Sequence, residues 1–425
     1  MQPVRLSSSA NQRPRQCAVS VSAKEEGNNM KHSTQRILTT HVGSLARTEA
    51  LLPLLRLKEQ GEPYDREELA RQVREAVAFV VGKQVEAGVD IVTDGEQGKS
   101  GFFAYVIERF NGFERMAPSP GKEMRPRSAG REYLAFPDYY AWSERIAAPF
   151  GGRSGRAGRD ADICTGPVTY KGHAAVQTDI VNLKAALAGR AHEEVFVPAI
   201  ASSYVASTFA NEYYRTLEEY EQAVSDALRE EYQAIVDAGF ILQIDDPRLV
   251  TYYMMHPELS VEDCRKWAEK RVEAINYSLR GIAPEKVRFH TCYSIDVGPR
   301  IHEMALQDIV DIILKINAGA YSFEAANPRH EHEYHVFERV RLPAGKILIP
   351  GVVSHTTNLV EHPELVAERI VRFAKLVGRE NVIAGADCGF AASALRFNDT
   401  HPSVAWLKFA ALAEGARLAT KQLWR

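Results

Sequence analysis

The sequence is short of several things, and each shortage closes off a class of function. No apolar run approaches the roughly 18 residues needed to cross a bilayer, so no stretch reads as a transmembrane helix. Charge of one sign is not in excess. The formal net charge of −3 gives no electrostatic basis for nucleic acid or an anionic membrane as the main partner. Cysteine is scarce, with five residues at 17, 164, 264, 292 and 388. An odd, widely spaced set is not a secreted disulfide framework and points to a reducing cytoplasm. The remaining composition is that of a soluble globular protein, 45% hydrophobic and 25% charged over 425 residues. That length accommodates one large α/β barrel or two or three smaller domains.

Residues 1–30 are rich in Ser, Asn, Gln and Arg, lack hydrophobic periodicity and end at a second methionine, Met30. They read as a disordered leader or an over-extended start, with a transit-like segment as the alternative. A single domain is expected over 31–425. Within it, short β-rich runs alternate with longer helical patterns, as in βα units around a parallel sheet. The runs are 37–44, 89–95, 195–201, 240–246, 287–293, 320–325, 346–353 and 381–388. Helical patterns follow at 66–87, 216–238, 261–280, 306–318, 363–378 and 403–423, and a His-rich segment lies behind the sixth run. Eight such units predict a (β/α)8 TIM barrel. The section at about 97–190 is too long for an ordinary βα loop and reads as an irregular insertion over one face. It holds an aromatic stretch (102–113), a Gly/Arg-rich turn (150–159) and a ninth β-like run (163–169) set outside the barrel count.

In barrels of this kind the chemistry sits at the carboxyl ends of the strands. Here those ends carry polar or metal-competent groups after apolar residues. The run VRFHTCYS places His290 and Cys292 at i and i+2, so that imidazole and thiol leave a strand on the same side. This is half of a zinc site, or else a buried histidine beside an inert thiol. Glu324 in YSFE and Cys388 in VIAGADC end similar runs and would complete a His, two Cys and carboxylate set suited to zinc.

The order HVGS, DGE, QIDDP, HTCYS, SFEA, GVVSH and ADCG resembles the zinc-containing catalytic barrel of the cobalamin-independent methionine synthase family, over about 37–391. The resemblance implies Zn2+ held by His290, Cys292, Glu324 and Cys388, with Ser44, Glu96 and Asp245 at substrate-contacting positions and His355 as proton donor. It also implies a transferase in which a zinc-bound substrate thiolate attacks a methyl or alkyl carbon, as in a 5-methyltetrahydropteroyltriglutamate-homocysteine S-methyltransferase. The partners would be a small-molecule thiol and an alkyl donor; homo-oligomerisation is left open.

Three positions depart from the family pattern. Thr251 stands where the synthases place a glutamate near the homocysteine amine, Ile163-Cys164 where they use Arg-Cys, and Tyr204 or Val205 where a tryptophan meets the pterin. The family's second, amino-terminal barrel has no room in this chain, which resembles the shorter core-only members. Two other readings therefore stay open: a zinc enzyme forming or cleaving C–S bonds with another electrophile, as in epoxyalkane:coenzyme M transferases, and a non-catalytic metal-binding barrel. Of the remaining polar groups, Asp246 reads as structural and Cys164 and Cys264 as inert thiols. The segment 329–335 (RHEHEYH) reads as a solvated loop, and Asn211–Tyr214 as either pocket lining or packing.

Overall fold

The structure is a computed structural model that describes residues 30–102, 104–121, 126–147, 161–293, 298–391, 393–394 and 400–425. The leader at 1–29 and the Gly/Arg-rich turn at 150–159 lie outside them. Eight strands follow in chain order: β1 Leu38–Thr39, β2 Ile91–Val92, β3 Glu194–Ile200, β4 Ile241–Asp245, β5 Val287–His290, β6 Ala320–Phe323, β7 Ile347–Val353 and β8 Ile383–Ala386. They form one sheet in the order β1-β8-β7-β6-β5-β4-β3-β2, with every pairing parallel.

Strands β4 to β8 are buried at every residue. A parallel sheet is covered on both faces, which is why runs such as ILIPGVV and IAGA are continuously apolar; β4 and β5 also bury the polar residues Gln243, Asp245, Arg288 and His290. Leu38, Phe196, Ile241, Ala320, Ile347 and Ile383 form one interior cluster. Between β1 and β2 the barrel is nearly closed by Asp90 N–H donating to the Thr39 carbonyl (3.2 Å) and Thr40 Oγ1 donating to the Ile91 carbonyl (3.1 Å). The (β/α)8 barrel is thus present. Its register sets Asp245 opposite His290 and His290 opposite Ser322, so the ends of β4, β5 and β6 lie at one level.

The covering helices start where side chains can satisfy their first N–H groups. Asp65 accepts from Glu67 and Glu68 N–H ahead of Arg66–Glu86, and Ser260 with Asp263 forms a capping box for Val261–Ser278. The expected helix at 306–318 is instead a 3-10 turn, Leu306–Asp308, and a short helix, Val310–Ile313. Its IVDIILKI run is dominated by β-branched residues with low helix propensity.

The long section after β2 is an insertion, but it is more regular than the sequence suggested. Phe110–Met116 pairs antiparallel with Ala161–Tyr170, which pairs parallel with Ala210–Asn211, forming a separate three-stranded sheet. The ninth run is therefore a strand outside the barrel. His173–Leu187 is a helix packed against Arg66–Glu86 and Leu217–Asp237. Among the described residues no helix is long and apolar enough to cross a membrane.

Candidate metal centre and substrate site

His290 ends β5, Cys292 follows it by two residues, and Cys388 follows β8. Their ligand atoms all lie within 4.8 Å of one another and all three residues are buried. The two Sγ atoms are 3.0 Å apart. His290 Nδ1 meets Ser322 Oγ at 3.2 Å, whereas its buried Nε2 has no hydrogen-bond partner. Burial, Arg288 and His355 push this imidazole down to about 3, so it is neutral and its free nitrogen carries a lone pair. The Cys388 thiol is held well above its usual range, first by the Cys292 thiol and then by burial.

A buried ring nitrogen aimed at nothing and two thiols crowded together are unfavourable by themselves. A soft divalent cation resolves both, because it takes a nitrogen lone pair and stabilises adjacent thiolates. The Ser322 contact is the kind of outer partner that fixes a ligating histidine's ring. The donor set therefore fits a metal ion.

Glu324, expected as the fourth ligand, lies outside that group. It follows β6 and is buried, but its carboxylate is engaged elsewhere. Oε1 accepts from Tyr293 N–H at 2.7 Å, and Oε2 accepts from Arg300 at 2.8 Å and Asn327 at 2.6 Å. Arg300 also donates to Glu303. Glu303 in turn meets His330 Nε2 at 2.9 Å, and His330 Nδ1 meets Glu333 at 2.7 Å. The His330 ring stacks on Tyr293 at 3.9 Å. The segment expected to be a solvated loop thus contributes a buried ion chain.

Burial alone would lower the His330 pKa, but hydrogen bonds to Glu303 and Glu333 outweigh it and raise the value to about 9. A folded value above the ordinary 6.5 means that this stabilisation is complete below pH 6.5 and is lost as the pH rises through about 9. The wild type should therefore exceed His330→Gln by up to about 3 kcal/mol in urea denaturation near neutral pH, and the gap should narrow by pH 10. A gap that does not change with pH would rule out a charged His330.

The expected substrate-contacting residues stand on neighbouring strand ends. Asp245 closes β4 and accepts from Gln243 Nε2 at 2.7 Å; burial and then the Glu96 charge raise it well above the usual carboxylate range. Glu96 follows β2 with φ of 56°, the one positive-φ residue other than glycine among those described. Asp94 holds this turn by accepting Glu96 N–H at 2.9 Å. Lys99, which the sequence reading passed over, donates to the Pro198 carbonyl at 2.7 Å and lies 3.5 Å from Glu96. Its signal was a lysine three residues past a strand-end acid. Ser44 sits against Gly389, where a Cβ would come within 2.0 Å of its Oγ, so this serine adjoins Cys388. His355 follows β7, is buried, and lies near enough to His290 to affect its proton affinity.

Asp246 is structural in its contacts, accepting from Ser203 and from Arg248 N–H. Cys164 and Cys264 lie in the three-stranded sheet and on the helix Val261–Ser278, and burial pushes both thiols up to about 11, as inert thiols require. Asn211 and Tyr214 serve turn and packing contacts: Asn211 Oδ1 accepts from Tyr214 N–H, and Tyr214 stacks on Tyr220.

Comparison with known proteins bears on the whole of this arrangement. The family model described as "Cobalamin-independent synthase, Catalytic domain" matches residues 202–410, the span that holds all three clustered ligands. A methionine synthase of Thermococcus kodakarensis is 25% identical over 391 residues, 91% of this chain and 94% of that protein. One from Saccharolobus solfataricus is 26% identical over 390 residues, 91% of this chain and 96% of that protein. The solved B12-independent methionine synthase from Shewanella sp. W3-18-1, in complex with selenomethionine, superposes with a TM-score of 0.65 at 19% identity. It covers 92% of this chain and 99% of that one, and it speaks to the fold alone. The family model falls on the strands that carry the His-Cys and Cys motifs and the two relatives run nearly end to end with this chain, so the chain is similar to the cobalamin-independent methionine synthases along its barrel.

Proposed function

We propose that this protein is a zinc-dependent methyltransferase acting on a small thiol, in the manner of a methionine synthase. The observation that carries the reading is the buried convergence of His290, Cys292 and Cys388 at the strand ends, with His290 Nε2 unengaged. These residues would hold the zinc. Bound there, zinc would supply the Lewis acidity that keeps a substrate thiol anionic at neutral pH.

The chain's own residues do the rest. Asp245 and Glu96, two acids within electrostatic reach of each other, face a substrate ammonium, and Lys99 sets how much negative charge that pocket carries. Ser44 packs against Gly389, the residue after Cys388. Burial of the clustered ligands excludes water from the sulfur and from the methyl carbon. The thiolate sulfur forms the new S–C bond as the bond from methyl to the donor's nitrogen or oxygen breaks, and His355 gives a proton to that departing atom.

The reading is tested by zinc stoichiometry of purified protein, followed by thiol-dependent methyl transfer from methyltetrahydrofolate and other methyl donors. One zinc per chain with transfer is expected, and a chain that takes up no zinc would overturn the reading. His355→Asn should lower kcat about 100-fold, the scale of a lost general acid, with zinc content unchanged. Loss of zinc in that variant would instead make His355 part of the metal's support.

A further inference from the structure

We infer that Lys408 is a positioning residue: acting through Glu361, it fixes the turn that carries His355, so that the imidazole stays at the barrel mouth where the departing donor atom needs a proton. The inference rests on the reading of His355 as proton donor and adds the group that keeps it in place.

His355 stands two residues beyond the end of β7, past the point where the sheet ladder holds the backbone. The stretch from Ser354 to Glu361 is neither helix nor strand, and its tip is open to water, with Leu359 78% exposed. His355 is nevertheless buried. A side chain on such a stretch keeps one position only if the peptide groups beside it have partners. Ser354 N–H donates to Glu361 Oε1 at 2.7 Å, which closes the turn on itself, and the His355 carbonyl accepts from Thr400 Oγ1 at 2.7 Å.

The first of these contacts depends on Lys408. This lysine projects from the helix Pro402–Leu423 and is fully buried. It donates to Glu361 Oε2 at 2.9 Å and to the Leu359 carbonyl at 2.6 Å, so it grips the turn at two points. Taking an ammonium and a carboxylate out of water is costly, and such a pair often adds nothing to stability over apolar residues of similar volume. What the charge adds here is geometry. Holding one carboxylate oxygen aims the other at the Ser354 N–H and ties the turn to a rigid helix. Without the cation, Glu361 would be drawn out to water and Ser354 N–H would lose its acceptor. A displacement of about 1 Å at a reacting group costs on the order of 100-fold in rate.

Methyl transfer to homocysteine from two kinds of donor separates positioning from support of the fold. Methyltetrahydrofolate departs through a nitrogen that needs a proton, whereas methyl iodide releases iodide, which needs none. Lys408→Met should lower kcat about tenfold with methyltetrahydrofolate while the KM for homocysteine and the zinc content stay as in wild type. With methyl iodide it should match the wild-type rate. Lys408→Met leaves Glu361 buried without its cation and can fail to fold. The Lys408→Met/Glu361→Leu double variant removes both charges together, which a buried site tolerates better, and should show the same donor dependence. An unchanged kcat in the double variant, or an equal loss with the two donors, would overturn the inference and leave the pair a structural contact. His355→Asn, measured beside them, keeps the two readings apart. If its loss depends on the donor and that of the double variant does not, the inference alone falls. If His355→Asn loses nothing, or loses equally with both donors, the proton-donor reading falls and the inference with it. A wild type that takes methyl only from methyl iodide would overturn both.

Discussion

Cys388→Ala is expected to weaken zinc binding by on the order of 100-fold or more and to abolish thiol-dependent methyl transfer with it. The Cys292 and Cys388 sulfurs are 3.0 Å apart, and the proximity holds the Cys388 thiol well above its ordinary range. Two thiolates at that spacing are tenable only with a cation between them, so zinc binding and double deprotonation are one event. Removing one thiol takes away an anionic ligand and leaves His290 and Cys292 as a two-point site. The fold should survive, because the substitution relieves a crowded polar contact. Added zinc should raise the melting temperature of the wild type but not of the variant, since only a ligand bound by the native state stabilises it. Cys164→Ala and Cys264→Ala, at the two isolated thiols, should leave zinc content as in wild type. A variant that keeps one zinc per chain would sink the assignment of the centre. A wild type that holds zinc without any thiol-dependent turnover would favour the non-catalytic barrel.

The barrel was legible because parallel strands covered on both faces are largely apolar, and runs such as ILIPGVV and IAGA carry that signature. Polar groups that closed those runs marked one mouth, and the H-x-C spacing already implied a shared side. What escaped was set by partners distant in sequence. Nothing near Glu324 announces that Arg300 takes its carboxylate, and the polar string at 329–335 gave no hint that Glu303 buries His330. The helix His173–Leu187 is a different case. Val176, Ile180, Leu183 and Leu187 recur at helical spacing and are all buried, so the signal was present but sat inside a section judged irregular as a whole.

Arg288→Met is expected to cost about 3–5 kcal/mol in chemical denaturation, the scale of breaking a buried charged network. Arg288 lies on β5 two residues before His290, so both side chains leave the strand on the same side. Its guanidinium donates to Gln243 Oε1 at 2.6 Å, to Thr40 Oγ1 at 2.9 Å and to the His41 carbonyl, and it stacks over Phe196 at 3.5 Å. The strand order puts β1 and β5 on opposite sides of the barrel, so one side chain ties the sheet across its width. Burial lowers this arginine to about 9, which measures how poorly solvated the charge is, yet Asp245 and Glu194 favour it. Methionine would fill the volume and leave the Gln243 and Thr40 oxygens and the His41 carbonyl short of a donor in a dry interior. It would also remove a charge that opposes the upward shift of Asp245, so that carboxylate should become harder to ionise. The loss should therefore appear twice: as a lower denaturation midpoint, and as weaker binding of an amine-bearing thiol relative to the same thiol without its amine. A stable Arg288→Met protein with both thiols affected equally would show that the cross-barrel tie supports neither the fold nor the acid pocket.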